Sequence, residues 1–120
     1  MLIDTERLKV GDREAWSERE RYDSVLSRSP RLARLEEQSV GLLQGWLGAH
    51  PDAFVSMSWG KDSVVVGHLA SLAKPDVVLK RARVADWEPA ESDWVRDKFL
   101  VDHPSVGYEE AVYDGRVPQR

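Results

Sequence analysis

Between residues 54 and 66 the chain reads Phe54-Val55-Ser56-Met57-Ser58-Trp59-Gly60-Lys61-Asp62-Ser63-Val64-Val65-Val66. An apolar run gives way to a polar, glycine-containing bend, and apolar residues then resume at helical spacing, so the stretch predicts a strand, a tight loop and a helix. Such a loop aims backbone N–H groups past the end of the strand. The following helix adds its dipole and its unpaired first-turn amides, and Lys61 adds a mobile positive charge. The guest that suits them is a phosphate or another oxyanion. Asp62 and Ser63 fit the first turn, where a side-chain oxygen accepts from a free amide.

The residues Ser58-Trp59-Gly60-Lys61-Asp62-Ser63 resemble the Ser-Gly-Gly-Xaa-Asp-Ser signature of the PP-loop ATP pyrophosphatases. Val55-Ser56-Met57 before it and Val64-Val65-Val66-Gly67-His68-Leu69 after it are similar to the PAPS (phosphoadenosine phosphosulfate) reductase-like branch. The resemblance implies a parallel α/β nucleotide-binding fold whose loop holds the phosphates of ATP or a related adenine nucleotide. Members that use ATP adenylylate a substrate and release pyrophosphate, with Mg²⁺ sharing the negative charge. Trp59 stands where the family has glycine, the residue that lets backbone approach phosphate closely. The spacing differs from the Walker A loop, in which the lysine is followed directly by serine or threonine.

At 120 residues the chain is long enough for one domain with one core, and small for a two-halved nucleotide-binding fold. A formal charge of −4 gives no general reason to expect nucleic acid as a partner. Cysteine is absent, which excludes disulfides and thiolate metal sites. It also removes the catalytic cysteine of the reductases in the resembled branch, so thiol-based reduction is not expected. No apolar run reaches membrane-spanning length, and the charged start Met1-Leu2-Ile3-Asp4-Thr5-Glu6-Arg7 does not resemble a secretory leader, so a cytoplasmic address is the default.

Around the loop the pattern predicts a three-layer α/β domain: a short parallel sheet, half of a Rossmann-like fold, with N-terminal helices. Residues 2–10 read as a disordered tip or a strand laid on the sheet edge. Residues 12–27 read as an exposed helix, its Glu/Arg run a solvated face. Ser29-Pro30 opens a second helix ending near Gly48, whose Leu32, Leu35, Ser39, Leu42, Leu43, Trp46 and Leu47 predict a core stripe. Strands are expected at 52–58, 77–84 and 107–113, with helices at 62–73 and 89–102. Val65, Leu69 and Leu72 are expected to face the sheet. Trp46-Leu47-Gly48-Ala49-His50-Pro51 and Phe99-Leu100-Val101-Asp102-His103-Pro104 echo one another as the same helix-ending joint.

Beyond the loop, Arg81 and Arg83 alternate onto one face at the carboxyl end of a strand, where open parallel sheets gather ligands. They either grip an anion by bidentate contacts or pair with acids such as Asp86, Glu88 and Glu91. Asp86 is a positional stand-in for the acid of the Asp-Thr-Gly that the resembled family carries after its second strand. Trp87 is a base-stacking candidate or, more ordinarily, packing. His68 reads as an ordinary packed or half-exposed residue, because no second ligand lies near it in sequence.

Two functions follow. One is an adenine-nucleotide-binding protein, seated on Ser58, Trp59, Gly60, Lys61, Asp62 and Ser63, with adenylyl transfer as its chemistry and no evident general base. The other is a trimmed, phage-like version of the fold that binds a partner with its loop vestigial. In either case the apolar strand at 52–58 would form a sheet edge, and the expected cover is the N-terminal segment, a homodimer mate or another protein.

Overall fold

The computed structural model describes residues 8–84, 87 and 89–113. Their order is α1 (Val10–Leu26), α2 (Pro30–Ala49), β1 (Val55–Ser56), α3 (Lys61–Ala73), β2 (Val78–Val84), α4 (Ala90–Asp102) and β3 (Gly107–Tyr113). The strands form one parallel sheet in the order β1-β2-β3, so the fold is the small α/β architecture with N-terminal helices that the pattern predicts.

One joint punctuates the chain three times. Each helix that feeds a strand ends at a residue followed by proline, which cannot continue the helix and turns its predecessor away from helical backbone. His50, Lys74 and His103 accordingly take φ between −145° and −127°. Each then accepts a turn-closing bond from the residue three ahead: Ala53 N–H to His50 O at 3.0 Å, Val77 to Lys74 at 2.9 Å and Val106 to His103 at 3.4 Å. The two histidine joints match further. His50 Nδ1–H donates to Trp46 O at 2.9 Å with the rings stacked, and His103 Nδ1–H donates to Phe99 O at 2.8 Å in the same manner.

Both crossovers step one strand in the same direction, and right-handed connections then place α3 and α4 on one face of the sheet. That face carries Met57, Leu79, Arg81, Tyr108 and Glu110, with Leu79 opposite Tyr108 and Arg81 opposite Glu110. The core is Leu47, Met57, Trp59, Ala70, Val77, Leu79 and Phe99. The opposite face, carrying Phe54, Ser56, Lys80, Ala82, Glu109, Ala111 and Tyr113, has no helix over it among the described residues, and most of these side chains are exposed.

Two packing expectations are corrected. The face of α3 turned to the sheet is Val64, Gly67, Ala70 and Ala73, whereas Val65 and Leu72 are 55% and 44% exposed. Small residues win because the helix sits close: a Cβ on Gly67 would lie 3.1 Å from Met57 Sδ. The leucine-rich α2 is not a core helix either. It packs on α3, only its Leu47 is buried, and Leu42 and Trp46 are 76% and 53% exposed. One helical neighbour covers one side, and the rest of a wide apolar stripe faces outward.

The first strand is far shorter than the expected 52–58. Two residues join the ladder, with Met57 N–H adding a bond to Lys80 O at 2.7 Å. A short edge offers little template for unwanted pairing. Helix α1 buries none of its residues, as expected for an exposed helix, and it begins at Val10. Whether residues 1–7 cover the edge lies outside the described residues.

Candidate phosphate-binding loop and the network beneath it

The segment bends from strand into helix where its sequence predicts. Ser58 Oγ accepts from Gly60 N–H at 3.2 Å and donates to Ser63 Oγ at 3.3 Å, while Ser63 Oγ donates to Gly60 O at 3.1 Å. The two serines thus tie the bend to the first turn of α3. Gly60 is the N-cap residue, and the first helical bond is Val64 N–H to Gly60 O at 3.1 Å. The amides of Lys61, Asp62 and Ser63 precede that bond and have no intrahelical acceptor. No side chain caps them. Lys61 and Asp62 are exposed beside them.

Trp59 decides the shape of the loop. Its φ of 63° makes it the one non-glycine residue with left-handed backbone among those described. Gly60, at φ −76°, holds a conformation open to any residue. The glycine-favouring position is therefore the one at which the resembled family has glycine, and here a tryptophan occupies it. For a residue with a Cβ this costs about 1–2 kcal/mol. The indole does not lie over the loop. It turns inward to 3% exposure, meets Phe99 and Tyr108 edge-on with ring centroids 5.4 and 5.6 Å away, and donates from Nε1 to Tyr108 Oη at 3.1 Å.

That bond joins the loop to a polar network on β2, β3 and α4. Tyr108 O–H donates to Glu110 Oε1 at 2.6 Å, and the same oxygen receives Arg96 at 2.8 Å and Arg81 at 3.4 Å. Asp93, in the first turn of α4, receives Arg81 at 2.9 Å and both terminal nitrogens of Arg83 at 3.1 and 2.9 Å. Arg96 also bonds Asp97 at 2.9 Å, so among the described residues three arginines face three carboxylates. Only 1% of the Arg81 side chain is exposed, and its charge is tolerable there because the carboxylates share the burial.

Burial pushes the Asp93 carboxyl up, but the hydrogen bonds from Arg81 and Arg83 outweigh it and hold the group below its ordinary value. Glu110 behaves alike: burial raises it, and the bonds from Tyr108 and Arg96 outweigh that and hold it below its ordinary value. Burial and the Glu110 bond push the Tyr108 phenol up to about 12 against a smaller opposing pull from Trp59.

Of the residues singled out from sequence, Ser58, Gly60, Lys61, Asp62 and Ser63 come together at one bend with Trp59 tucked beneath it. Arg81 and Arg83 lie on the helix-covered face and are held by Asp93 and Glu110. Asp86 and Glu88 lie outside the described residues, and Trp87 is exposed. The partners Asp93, Tyr108, Arg96 and Glu110 were not singled out as a site. Their signal was the period-two alternation of β3, which sends Glu109 to the bare face and Glu110 to the arginines. His68 gains a neighbour that its sequence position did not suggest, since its Nδ1 lies 2.9 Å from His103 Nε2 on the end of α4.

No group of three or more His, Cys, Asp or Glu capable of holding a metal ion occurs among the described residues, and none of their helices is long and apolar enough to cross a membrane. Compared with protein-family models, curated proteins and solved structures, the chain matches none.

Proposed function

We propose that residues 58–63 seat the phosphates of an adenine nucleotide, ATP or a PAPS-like relative. The observation that carries this reading is the uncapped first turn of α3 at the end of a parallel strand, with Lys61 exposed beside it and the Trp59 indole turned away. Three amides, the helix dipole and an ammonium group favour a polyanion there. Mg²⁺ would come coordinated to the nucleotide, its usual mode beside phosphates. In an adenylyl transfer, the loop amides and Lys61 would stabilise charge on the departing pyrophosphate while a substrate oxygen attacks the α-phosphorus. The chain's contribution is positioning and electrostatics.

Calorimetric titration of ATP, AMP and PAPS with Mg²⁺ tests it. Binding in the micromolar range is expected, weakened about tenfold or more in Lys61→Ala, the scale of one charge-assisted contact. Absence of heat with all three nucleotides defeats the reading.

A second reading, that the chain works by association, is favoured by the bare face of the sheet. Parallel sheets are covered on both faces, and here Phe54, Ala82, Ala111 and Tyr113 surround a Lys80–Glu109 pair at 3.3 Å with no helix above them among the described residues. Both charge signs on one patch allow a two-fold mate to place its Glu109 near Lys80. A homodimer through this face, next to the β1 edge, is the expected state. Sedimentation velocity should show a dimer that Ala111→Arg dissociates. A monomer at every concentration removes this reading and leaves the nucleotide proposal untouched.

A further inference from the structure

We propose that α2 pairs with the α2 of a second copy of the chain as a short parallel coiled coil. This contact is separate from the loop and from the bare sheet face, because α2 packs on α3 and no helix lies over that face among the described residues.

The first argument is spacing. Leu32, Leu35, Ser39, Leu42 and Trp46 follow one another at intervals of 3, 4, 3 and 4 residues, the repeat that keeps one seam turned toward a partner helix. This seam is not the side of α2 used inside the chain. Leu43 and Leu47 face the core, whereas Leu32, Leu35, Leu42 and Trp46 are between 46% and 76% exposed. A helix with one apolar side packed on its own domain and a second left in water presents a surface for another molecule.

The second argument selects the partner. In a parallel pair, the residue just before one seam position lies across from the residue just after the mate's next seam position. Before Leu32 stands Arg31 and after Leu35 stands Glu36, both exposed. Two-fold symmetry therefore brings Arg31 to the partner's Glu36 and repeats the pair on the other side of the seam. An antiparallel pair would set Arg31 opposite the partner's Gln38 or Gly45, neither of them an acid. Ser39, at the centre of the seam, meets its own copy in the parallel arrangement, and a single polar residue at such a position fixes register. A second copy thus answers the spacing, the charges and the register together.

Free peptides with a seam this short do not stay paired, because each helix must first be ordered. The 20 residues of α2 are already ordered on their own domain, so association does not carry that cost. The contact is still small, and covalent trapping at high protein concentration is the way to read it. The Ala111→Arg chain serves as background, so that pairing through the sheet does not contribute.

The chain has no cysteine, so each introduced thiol reports one position. Under mild oxidation, Leu32→Cys and Ser39→Cys are expected to form disulfide dimers about tenfold or more faster than Glu37→Cys, on the opposite side of the helix. Leu32 meets its own copy only in a parallel pair. Arg31→Glu should slow the trapping of Ser39→Cys about threefold or more, and adding Glu36→Arg should restore it, which a role confined to one chain would not produce. Circular dichroism checks that each variant is folded. The proposal is overturned if the two seam thiols trap no faster than Glu37→Cys, if Ser39→Cys traps and Leu32→Cys does not, or if the doubly exchanged chain stays slow.

Discussion

Replacing Asp93 with alanine is expected to lower unfolding stability by about 3 kcal/mol, measured as the free energy of denaturant unfolding. The loss comes from what stays behind. Asp93 receives Arg81 and Arg83 together, and only 1% of the Arg81 side chain reaches solvent. Removing the carboxylate takes away the nearest acid described around a buried guanidinium, with Glu110 at 3.4 Å left beside it. Asp93→Asn keeps the shape and an acceptor, so its cost should be about half as large. If alanine prevents folding altogether, the asparagine variant still reports the effect.

The same carboxylate makes a signature in acid. Its folded value lies below the ordinary 3.8, so the stability it confers is complete above about pH 4 and disappears as pH falls through the lower folded value. Glu110 is shifted in the same direction and adds to the loss. The parent should therefore destabilise steeply below pH 4, and Asp93→Asn less steeply. Equal slopes, or an alanine variant as stable as the parent, would show that the network contributes nothing.

The second large effect is expected at Trp59. Trp59→Gly has two opposed consequences, and their sizes decide the sign. Glycine relieves left-handed backbone, worth about 1–2 kcal/mol. It also removes a nearly fully buried indole from between Phe99 and Tyr108, and truncating such a side chain costs about 3–5 kcal/mol. The cavity term wins, so the variant should be about 2–3 kcal/mol less stable. Trp59→Phe should lose less, because a ring still fills most of the site and only the bond to Tyr108 is gone. A glycine variant of parental stability or better would mean that the indole contributes little to the core and that backbone strain dominates the loop.

The strand–loop–helix at 54–66, the proline-terminated helices and the parallel α/β class were legible because each depends on neighbours a few residues apart. Proline's missing donor, glycine's freedom and alternating or helical spacing act locally. The limits of β2 and β3 and the twin histidine joints followed for the same reason.

What tertiary structure alone decided is which side of each element is covered and which charges meet. α2 and α3 both carry wide apolar stripes, and only the helix-on-sheet contact chooses Gly67 and Ala70 over Val65 and Leu72 for the close approach. The direction of Trp59 depends on Tyr108, 49 residues away, and the duty of Arg81 and Arg83 depends on Asp93 and Glu110. His68 and His103 are 35 residues apart and become neighbours only when α3 and α4 share one face of the sheet. Burial and long-range charge pairing depend on strand order and register, and no local spacing encodes them.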